Sequence, residues 1–271
     1  MLIDVHAHFY TELSNRTDWR IVNQARLDAG RRIGVTAHVA SILGTWGARS
    51  PTYFPSPDDV EHANDHMVEF ADEHEELFGY CVVNPNYTDH ALSEIERRVS
   101  QGMVGVKLAA SRRADDELLD PIAEKAGELG VPILHHLWQN RGRDWPGQEA
   151  SDATELVMLT SRFPQTRFIL AHLGGGGDWA HTLRAVRNEL NIWVDLSGSG
   201  VDPDMLIQAV DVLGPDRLLW GSDLTMDTAW AKLRYLERMG LAADELDAIY
   251  FGNACRIFPE GCFGADPLTA G

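Results

Sequence analysis

The sequence is poor in lysine, and its charge is strongly one-sided. Its 271 residues include three lysines, Lys107, Lys125 and Lys232, and 41 acidic residues against 23 basic ones, which gives a formal net charge of −18 at pH 7. A surface of this sign repels phosphate groups, which argues against nucleic acid and anionic membranes as partners. The shortage of lysine fits either an arginine-rich coding bias or an acidic surface adapted to salt.

Cysteine is also scarce, and long apolar runs are missing. Cys81, Cys255 and Cys262 are odd in number and form no C-x-x-C pair, so the sequence predicts neither a disulfide framework nor a thiolate zinc site. No apolar run reaches the roughly 18 residues that a membrane-spanning helix needs. The first residues, LIDVH, resemble neither a charged leader nor a signal-peptide core. We therefore expect a cytoplasmic protein.

Short apolar segments rich in β-branched residues alternate with longer segments of helical spacing. This alternation is typical of repeated βα units and a parallel sheet. Eight such units predict a closed (β/α)8 barrel, a fold that needs roughly 250 residues, and we expect residues 1–271 to form one domain. The predicted strands are Leu2–Val5, Val35–Leu43, Phe78–Val83, Val104–Leu108, Val131–Leu134, Arg167–Ala171, Ile192–Leu196 and Arg217–Gly221.

The intervening segments carry helix-start signals, and one connection is unusually long. Ser56-Pro57 and Asp202-Pro203 combine an N-cap residue with a proline at the first helical position. The predicted helices include Asp58–Glu76, Asp89–Val99, Asp116–Leu129, Ala153–Phe163 and Asp204–Leu213. The long connection, Gly44–Pro57, follows the second strand, which places it on the active-site face as either a lid or an ordinary surface loop.

Histidines and one aspartate fall at the ends of several predicted strands. His6-Ala7-His8 follows the first strand, and alternate residues of an extended chain point the same way. His135 and His172 follow the fifth and sixth strands, and Asp223 follows the eighth. Strand ends converge at the mouth of a closed barrel, and imidazole and carboxylate groups are good ligands for divalent metals. The pattern predicts a metal site there.

The motifs, taken in order, make the chain similar to a known family. It resembles the amidohydrolase superfamily, in the branch of metal-dependent barrels that includes aminocarboxymuconate semialdehyde decarboxylase and γ-resorcylate decarboxylase. The resemblance covers essentially the whole chain. It rests on the segments DVHAH at 4–8, GVKL at 105–108, PILH at 132–135, AHLGG at 171–175, GSD at 221–223 and GNA at 252–254.

The resemblance implies roles for particular residues. His6, His8, His135 and Asp223 would bind one divalent metal, most simply Zn²⁺, with Mn²⁺, Fe²⁺ and Co²⁺ as alternatives. His172 would stay off the metal as an acid–base or electrophilic group. Lys107 would bind a substrate anion or donate a hydrogen bond. In binuclear relatives this position is a carboxylated lysine that bridges two metals, which remains the alternative.

Other residues near the predicted mouth are weaker candidates. Trp138, Arg49 and Tyr10 are expected to line the substrate pocket, although packing or solvated loops explain them equally simply. His136 is expected to point away from the metal, in the second shell or the core. The glycine run at 174–177 is expected to allow close backbone approach beneath the site.

The resemblance leaves more than one function open. The first expectation is a metal-dependent hydrolase that attacks a C–N, lactone or ester bond of a small carboxylate-bearing substrate with activated water, and in which Asp223 moves the proton. The alternative is a non-oxidative decarboxylase of an aromatic or muconate-type acid, and the last is a metal-binding barrel without catalysis. The expected partners are a small-molecule substrate and a second copy in a homodimer.

Overall fold

A computed structural model describes residues 1–137, 146–173, 178–198, 200, 202–224 and 226–264. Eight parallel strands form a sheet in the order β1 to β8. Val5 N–H donates to the Trp220 carbonyl (3.1 Å), and Ala7 pairs with Asp223, so the segment after β8 closes the sheet against β1. The predicted (β/α)8 barrel is confirmed. The strands are β1 Ile3–His8, β2 Ala37–Ser41, β3 Leu77–Val83, β4 Gly105–Leu108, β5 Ile133–His136, β6 Phe168–Ala171, β7 Ile192–Asp195 and β8 Leu218–Leu219.

Helices follow the strands and cover the outside of the barrel. Ser56 accepts from Asp59 N–H and Asp202 from Asp204 N–H, so both predicted caps are confirmed, each followed by its proline. None of the helices in the described part of the chain has the length and apolar character needed to cross a bilayer. The α-helices are α1 Trp19–Ile33, α2 Pro57–Glu73, α3 Thr88–Ser100, α4 Asp120–Leu129, α5 Ala153–Arg162, α6 Trp179–Val186, α7 Pro203–Leu213, α8 Met226–Leu236, α9 Ala243–Asp247 and α10 Asn253–Ile257.

Several predicted boundaries differ from the structure, and three of the differences change the description of an element. His6 and His8 lie inside β1 rather than after it, because the strand continues to pair with β2 as far as His8. The predicted helix Asp116–Leu129 begins with a separate 3₁₀ turn, Glu117–Leu119. The eighth strand, predicted as Arg217–Gly221, is only two residues long. A 3₁₀ turn, Pro215–Arg217, comes directly before it, and the residues after it lead into the segment that carries Asp223.

Side chains of each strand alternate between a core under the helices and the interior of the barrel. In β4, Val106 and Leu108 belong to the outer core, so Lys107 points inward. In β5, Ile133 belongs to the outer core and Leu134 to the inner one. The inner apolar cluster fills the barrel below the strand ends, so the polar residues that point inward above it form one layer.

Strand β1 breaks this alternation by a bulge. Asp4 pairs with His38 and Ala7 with Ala40, so two residues of β1, Val5 and His6, oppose one residue of β2. Such a bulge re-aims the side chains that follow it. It allows Val5 to join the inner apolar cluster while His6 also faces the interior.

Candidate metal centre

Three of the predicted ligands converge at the seam between β1 and the segment after β8. His6 Nε2 lies 3.1 Å from His8 Nε2, and Asp223 Oδ1 lies 3.3 Å from His8 Nε2 and 3.8 Å from His6 Nε2. Ligand atoms bound at about 2.0–2.1 Å to a tetrahedral ion are about 3.3 Å apart, so these spacings fit one small cation.

The outer nitrogens of both imidazoles are held by other groups. His6 Nδ1 lies 2.6 Å from the carboxylate of Asp195, which is at the end of β7, and His8 Nδ1 lies 3.3 Å from the Ser41 carbonyl. Since the Asp195 carboxylate accepts, His6 Nδ1 donates to it and the Nε2 lone pair of His6 points inward. His8 Nδ1 also contacts the Ser41 hydroxyl at 3.0 Å, and when it donates to the Ser41 carbonyl its Nε2 lone pair points inward as well. Two lone pairs and a carboxylate oxygen that face one another need a positive charge between them. The arrangement fits a divalent metal, with the acceptor-bound outer nitrogens that are usual for metal-binding histidines.

Ser197 completes the support of His6. Its hydroxyl lies 2.8 Å from Asp195 Oδ2 and 3.0 Å from His6 Nδ1. Burial raises the pKa of Asp195 to about 6. A Cβ atom on Gly221 would come within 2.8 Å of Asp195 Oδ1 and 3.1 Å of the His6 Cβ, so glycine is required here for the pair to form.

The structure presents His136, rather than His135, to the interior. His136 follows the inward-pointing Leu134 by two residues, and its ring centre lies 5.1 Å from that of His172. Burial lowers its pKa well below the ordinary value, and the charges of His172, Lys107, Asp223 and His6 act on it. His135 shares the outward face of Ile133 and donates from Nδ1 to the His136 carbonyl at 2.9 Å, and neither of these two histidines belongs to the close group of His6, His8 and Asp223. Neighbouring residues of a strand face opposite sides, and the inward side belongs to His136, whereas the sequence led us to expect His135 there.

His172 lies beside the group of His6, His8 and Asp223. Its Nε2 is 3.7 Å from Asp223 Oδ2, and its ring stacks on that of His6 at 5.9 Å between centres. Burial lowers its pKa, while the charges of Asp223 and Asp195 raise it. One oxygen of Asp223 therefore faces His6 and His8 and the other faces His172, at a distance that one water molecule could bridge.

Lys107 extends into the same layer and is fully buried. Its Nζ lies 3.0 Å from His6 Nε2, so in this structure the lysine provides positive charge next to the converging lone pairs. Burial lowers its pKa to about 8, against the charges of Asp223 and Asp195, which raise it.

The connection Gly44–Pro57 covers this layer with aromatic side chains. The Trp46 ring centre is 5.5 Å from that of His8, and the Tyr53 ring centre is 5.6 Å from that of His136. The connection is held to α2 by the buried carboxylate of Asp59, which accepts from Thr45 Oγ1 at 3.2 Å and from Ser50.

The remaining candidates lie further from the ligands. Arg49 forms an ion pair with Asp59 (3.3 Å), so it anchors the covering connection in this structure. Tyr10 packs on Trp46 with 4.8 Å between ring centres, one layer away from His8. Trp138 and the glycine run 174–177 lie outside the described residues.

Sequence reasoning missed the carboxylate behind His6. Asp195 ends a buried strand of otherwise apolar residues, and a charged residue inside such a run is a signal that it has a buried partner. The same signal was present for Asp4, whose carboxylate accepts from Ser222 N–H (2.8 Å) and lies 2.9 Å from His38 Nδ1. These contacts tie β1 to the segment that carries Asp223.

A barrel whose strand ends converge on histidines and a carboxylate defines a metal-dependent enzyme of the (β/α)8 type. A family model described as Amidohydrolase matches residues 3–259. The chain belongs to the amidohydrolase family and is an enzyme of that superfamily, as the resemblance implied.

Several known proteins are similar to this chain. It is 24% identical to 2-amino-3-carboxymuconate-6-semialdehyde decarboxylase of Dictyostelium discoideum over 218 residues, 72% of this chain, and the match spans 58% of that relative's length. The solved structure of 2,6-dihydroxybenzoate decarboxylase from Rhizobium has a TM-score of 0.73 at 18% identity, covering 94% of this chain and 98% of the other. A dihydroxybenzoic acid decarboxylase from a Polaromonas species, solved with manganese and the inhibitor 2-nitroresorcinol, has a TM-score of 0.72 at 18% identity, covering 94% and 96%.

Proposed function

We propose that this enzyme is a metal-dependent, non-oxidative decarboxylase of a small aromatic or unsaturated carboxylic acid. The expectation from the sequence placed hydrolysis first, and the similar proteins favour the alternative instead, because those described above are named as decarboxylases. The match over residues 3–259 supports a single barrel domain, and the expected homodimer stays a prediction.

Four side chains are proposed to hold one divalent metal: His6, His8, Asp223 and, in place of His135, His136. The first three already lie at ligand spacing, and the fourth is on the inner face of β5, with its ring centre 5.1 Å from that of His172. Zn²⁺ is the expected ion, and the manganese in the Polaromonas structure makes Mn²⁺ the first alternative. When bound, the metal supplies positive charge that polarises the carboxyl end of the substrate.

Lys107 carries the proposal of an anionic substrate. Its Nζ contacts His6 Nε2, and this nitrogen has a single inward lone pair that a bound metal would use. The buried ammonium then needs another partner, because an unpaired buried charge is costly. A substrate carboxylate provides it, and the pKa of about 8 keeps Lys107 mostly protonated near neutrality.

His172 and Asp223 are proposed to move the proton that decarboxylation requires. A proton is added to the substrate carbon that bears the carboxylate. The bond from this carbon to the carboxyl carbon then breaks, its electron pair returns to the unsaturated system, and CO₂ leaves. The 3.7 Å between His172 Nε2 and Asp223 Oδ2 supports proton transfer between the two groups through one bridging water, and solvent restores the proton to the pair afterwards.

The test is a screen for CO₂ release with 2,6-dihydroxybenzoate, 5-carboxyvanillate and 2-amino-3-carboxymuconate semialdehyde. We expect release with at least one of these acids, and incorporation of solvent deuterium at the former carboxyl-bearing carbon of the product. His172→Asn should reduce both without loss of metal. Hydrolysis of lactones or amides without any CO₂ release or deuterium incorporation would instead establish the hydrolase.

Hydrolysis remains the second candidate because of the position of Asp223. Its two oxygens face the ligand histidines and His172, and a general base that takes a proton from a metal-activated water needs the same position. The two functions share their residues and differ in the atom that receives the proton, so the product analysis above separates them.

A further inference from the structure

A second group of metal-ligand side chains lies outside the barrel, away from the candidate metal centre. It consists of Glu12, in the segment after β1, and of His62 and His66 in the middle of α2, and we call it the outer cluster. One ligand atom from each residue lies within 4.8 Å of the others. All three side chains are partly exposed, so water and ions reach them.

The spacing of the two histidines follows from the helix. Residues four apart lie on the same face, one turn above the other, and the two ring centres are 4.5 Å apart. Glu12 Oε1 faces both rings, at 3.0 Å from His66 Nε2 and 3.7 Å from His62 Nε2. These distances bracket the edge of about 3.3 Å expected for ligands of a tetrahedral zinc ion.

The surroundings of the cluster favour a cation. His66 Nδ1 lies 2.9 Å from Glu69 Oε2, so a carboxylate holds the outer nitrogen of the ring and turns Nε2 towards Glu12. Burial and the neighbouring His66 lower the pKa of His62, which keeps that ring neutral and able to bind metal. The adjoining groove between α1 and α2 is also lined by Glu69 and Glu73.

A simple ion pair explains the outer cluster less completely. One protonated histidine would satisfy Glu12, and His90 with Glu61 shows this simpler arrangement on the same surface, at 3.0 Å. The outer cluster instead brings a second imidazole to the same carboxylate oxygen. Two imidazoles and one carboxylate, with a position open to water, form a known type of zinc ligand set.

We propose that Glu12, His62 and His66 form a second divalent-metal site that binds Zn²⁺, with water as the fourth ligand. Bound metal would join the segment after β1 to α2. Its ligand in that segment, Glu12, is four residues after His8, a proposed ligand of the buried centre. The ion therefore fastens the segment that carries Tyr10 to the helix whose Asp59 holds the covering connection. The site is open to solvent and exchanges its metal faster than the buried centre.

The experiment is a titration of the metal-loaded enzyme with ZnCl₂ against a competing chromophoric chelator, with unfolding temperature as the second measurement. We expect one additional zinc per chain and a higher unfolding temperature with zinc. His66→Ala and Glu12→Gln should lose both effects while the metal of the buried centre stays bound. His90→Ala is the matched control and should keep the additional zinc, since its pair contains one histidine.

The two sites are separated by Asp223→Ala, which should lose the buried metal and keep the outer zinc. His62→Asn provides a milder second variant if His66→Ala does not fold. The proposal is overturned if the enzyme takes up no zinc beyond the buried centre, or if His66→Ala and His62→Asn bind as much zinc as His90→Ala.

Discussion

The carboxylate of Asp195 lies 2.6 Å from Nδ1 of His6, across the barrel interior from β7 to β1. The pair fixes which nitrogen of His6 carries the hydrogen and therefore which one faces the metal centre. Asp195→Asn keeps the size of the side chain and weakens this control. Loss of such an outer-shell partner typically costs about 10–100-fold in metal affinity. We expect that reduction in competition titrations, with an unchanged circular dichroism spectrum; unchanged affinity would mean that the Ser197 hydroxyl alone orients the ring.

The two neighbouring histidines of β5 give the second prediction. His136→Ala removes a proposed ligand. Its affinity for the metal should therefore fall by at least the roughly 10–100-fold that is typical for loss of an outer-shell residue. His135→Ala should keep its metal and lose stability, because it leaves a cavity on the outer face of β5. Elemental analysis and chemical denaturation of both variants check this. Loss of metal in His135→Ala alone would restore the assignment expected from the sequence.

The sequence predicts reliably which strands carry the residues of the site. It predicts less reliably which side chains of those strands point into the barrel. The eight strands and the group of His6, His8, Asp223, His172 and Lys107 follow from runs of apolar residues and from strand-end motifs. The choice between His135 and His136 depends on where β5 begins, since a shift of one residue exchanges the two faces. The bulge at Val5–His6 also cannot be predicted from the sequence, because it is defined by the register between β1 and β2.

Contacts between distant parts of the chain also could not be predicted from the sequence. Nothing near Asp195 in the sequence indicates that its partner is 189 residues away. Likewise, the position of Arg49 in the sequence predicts a positive charge at the mouth of the barrel. Its ion pair with Asp59 depends on how the connection Gly44–Pro57 folds onto α2, which the sequence does not indicate.

The charge of Lys107 gives a pH dependence. Burial lowers its pKa to about 8, so the ammonium proposed to bind a substrate anion is present below that pH and is lost above it. We expect kcat/KM to decline by about tenfold per pH unit above pH 8. Lys107→Arg should remove this decline, because arginine stays charged, and Lys107→Met should raise KM at all pH values. A decline that persists in Lys107→Arg would assign it to another group.

Gly198 tests the position of His172. A Cβ at this glycine would come within 3.1 Å of the His172 ring, and its φ of +80° also disfavours other residues. Gly198→Ala should therefore displace the imidazole from Asp223 and lower kcat by about 10²–10⁴-fold, the usual contribution of a positioned acid–base group. Metal content should not change. Full activity in a folded Gly198→Ala protein would exclude proton transfer by His172.

His135 gives a prediction for stability against pH in the metal-free enzyme. Burial lowers its pKa from 6.5 to about 4, so the unfolded chain binds the proton more readily. The contribution of the neutral ring to stability is complete above pH 6.5 and is lost progressively as pH falls towards 4. The full difference corresponds to about 3 kcal/mol. His135→Leu should reduce the loss of unfolding free energy over this range, measured by denaturation at pH 7 and pH 4.5; identical losses would contradict it.

The closure of the barrel has a consequence for the order in which the enzyme matures. The proposed ligands His6 and His8 belong to the first strand, and the proposed ligand Asp223 belongs to the segment after the last. Hydrogen bonds of Asp4 with Ser222 and of His6 with Asp223 join the same two ends of the chain. A nascent chain therefore cannot assemble the centre before about four-fifths of it has been synthesised, and a protein cut anywhere between these ends has to reassociate to hold its metal. Metal uptake thus reports completion of the ring of strands and marks the molecules that have finished folding.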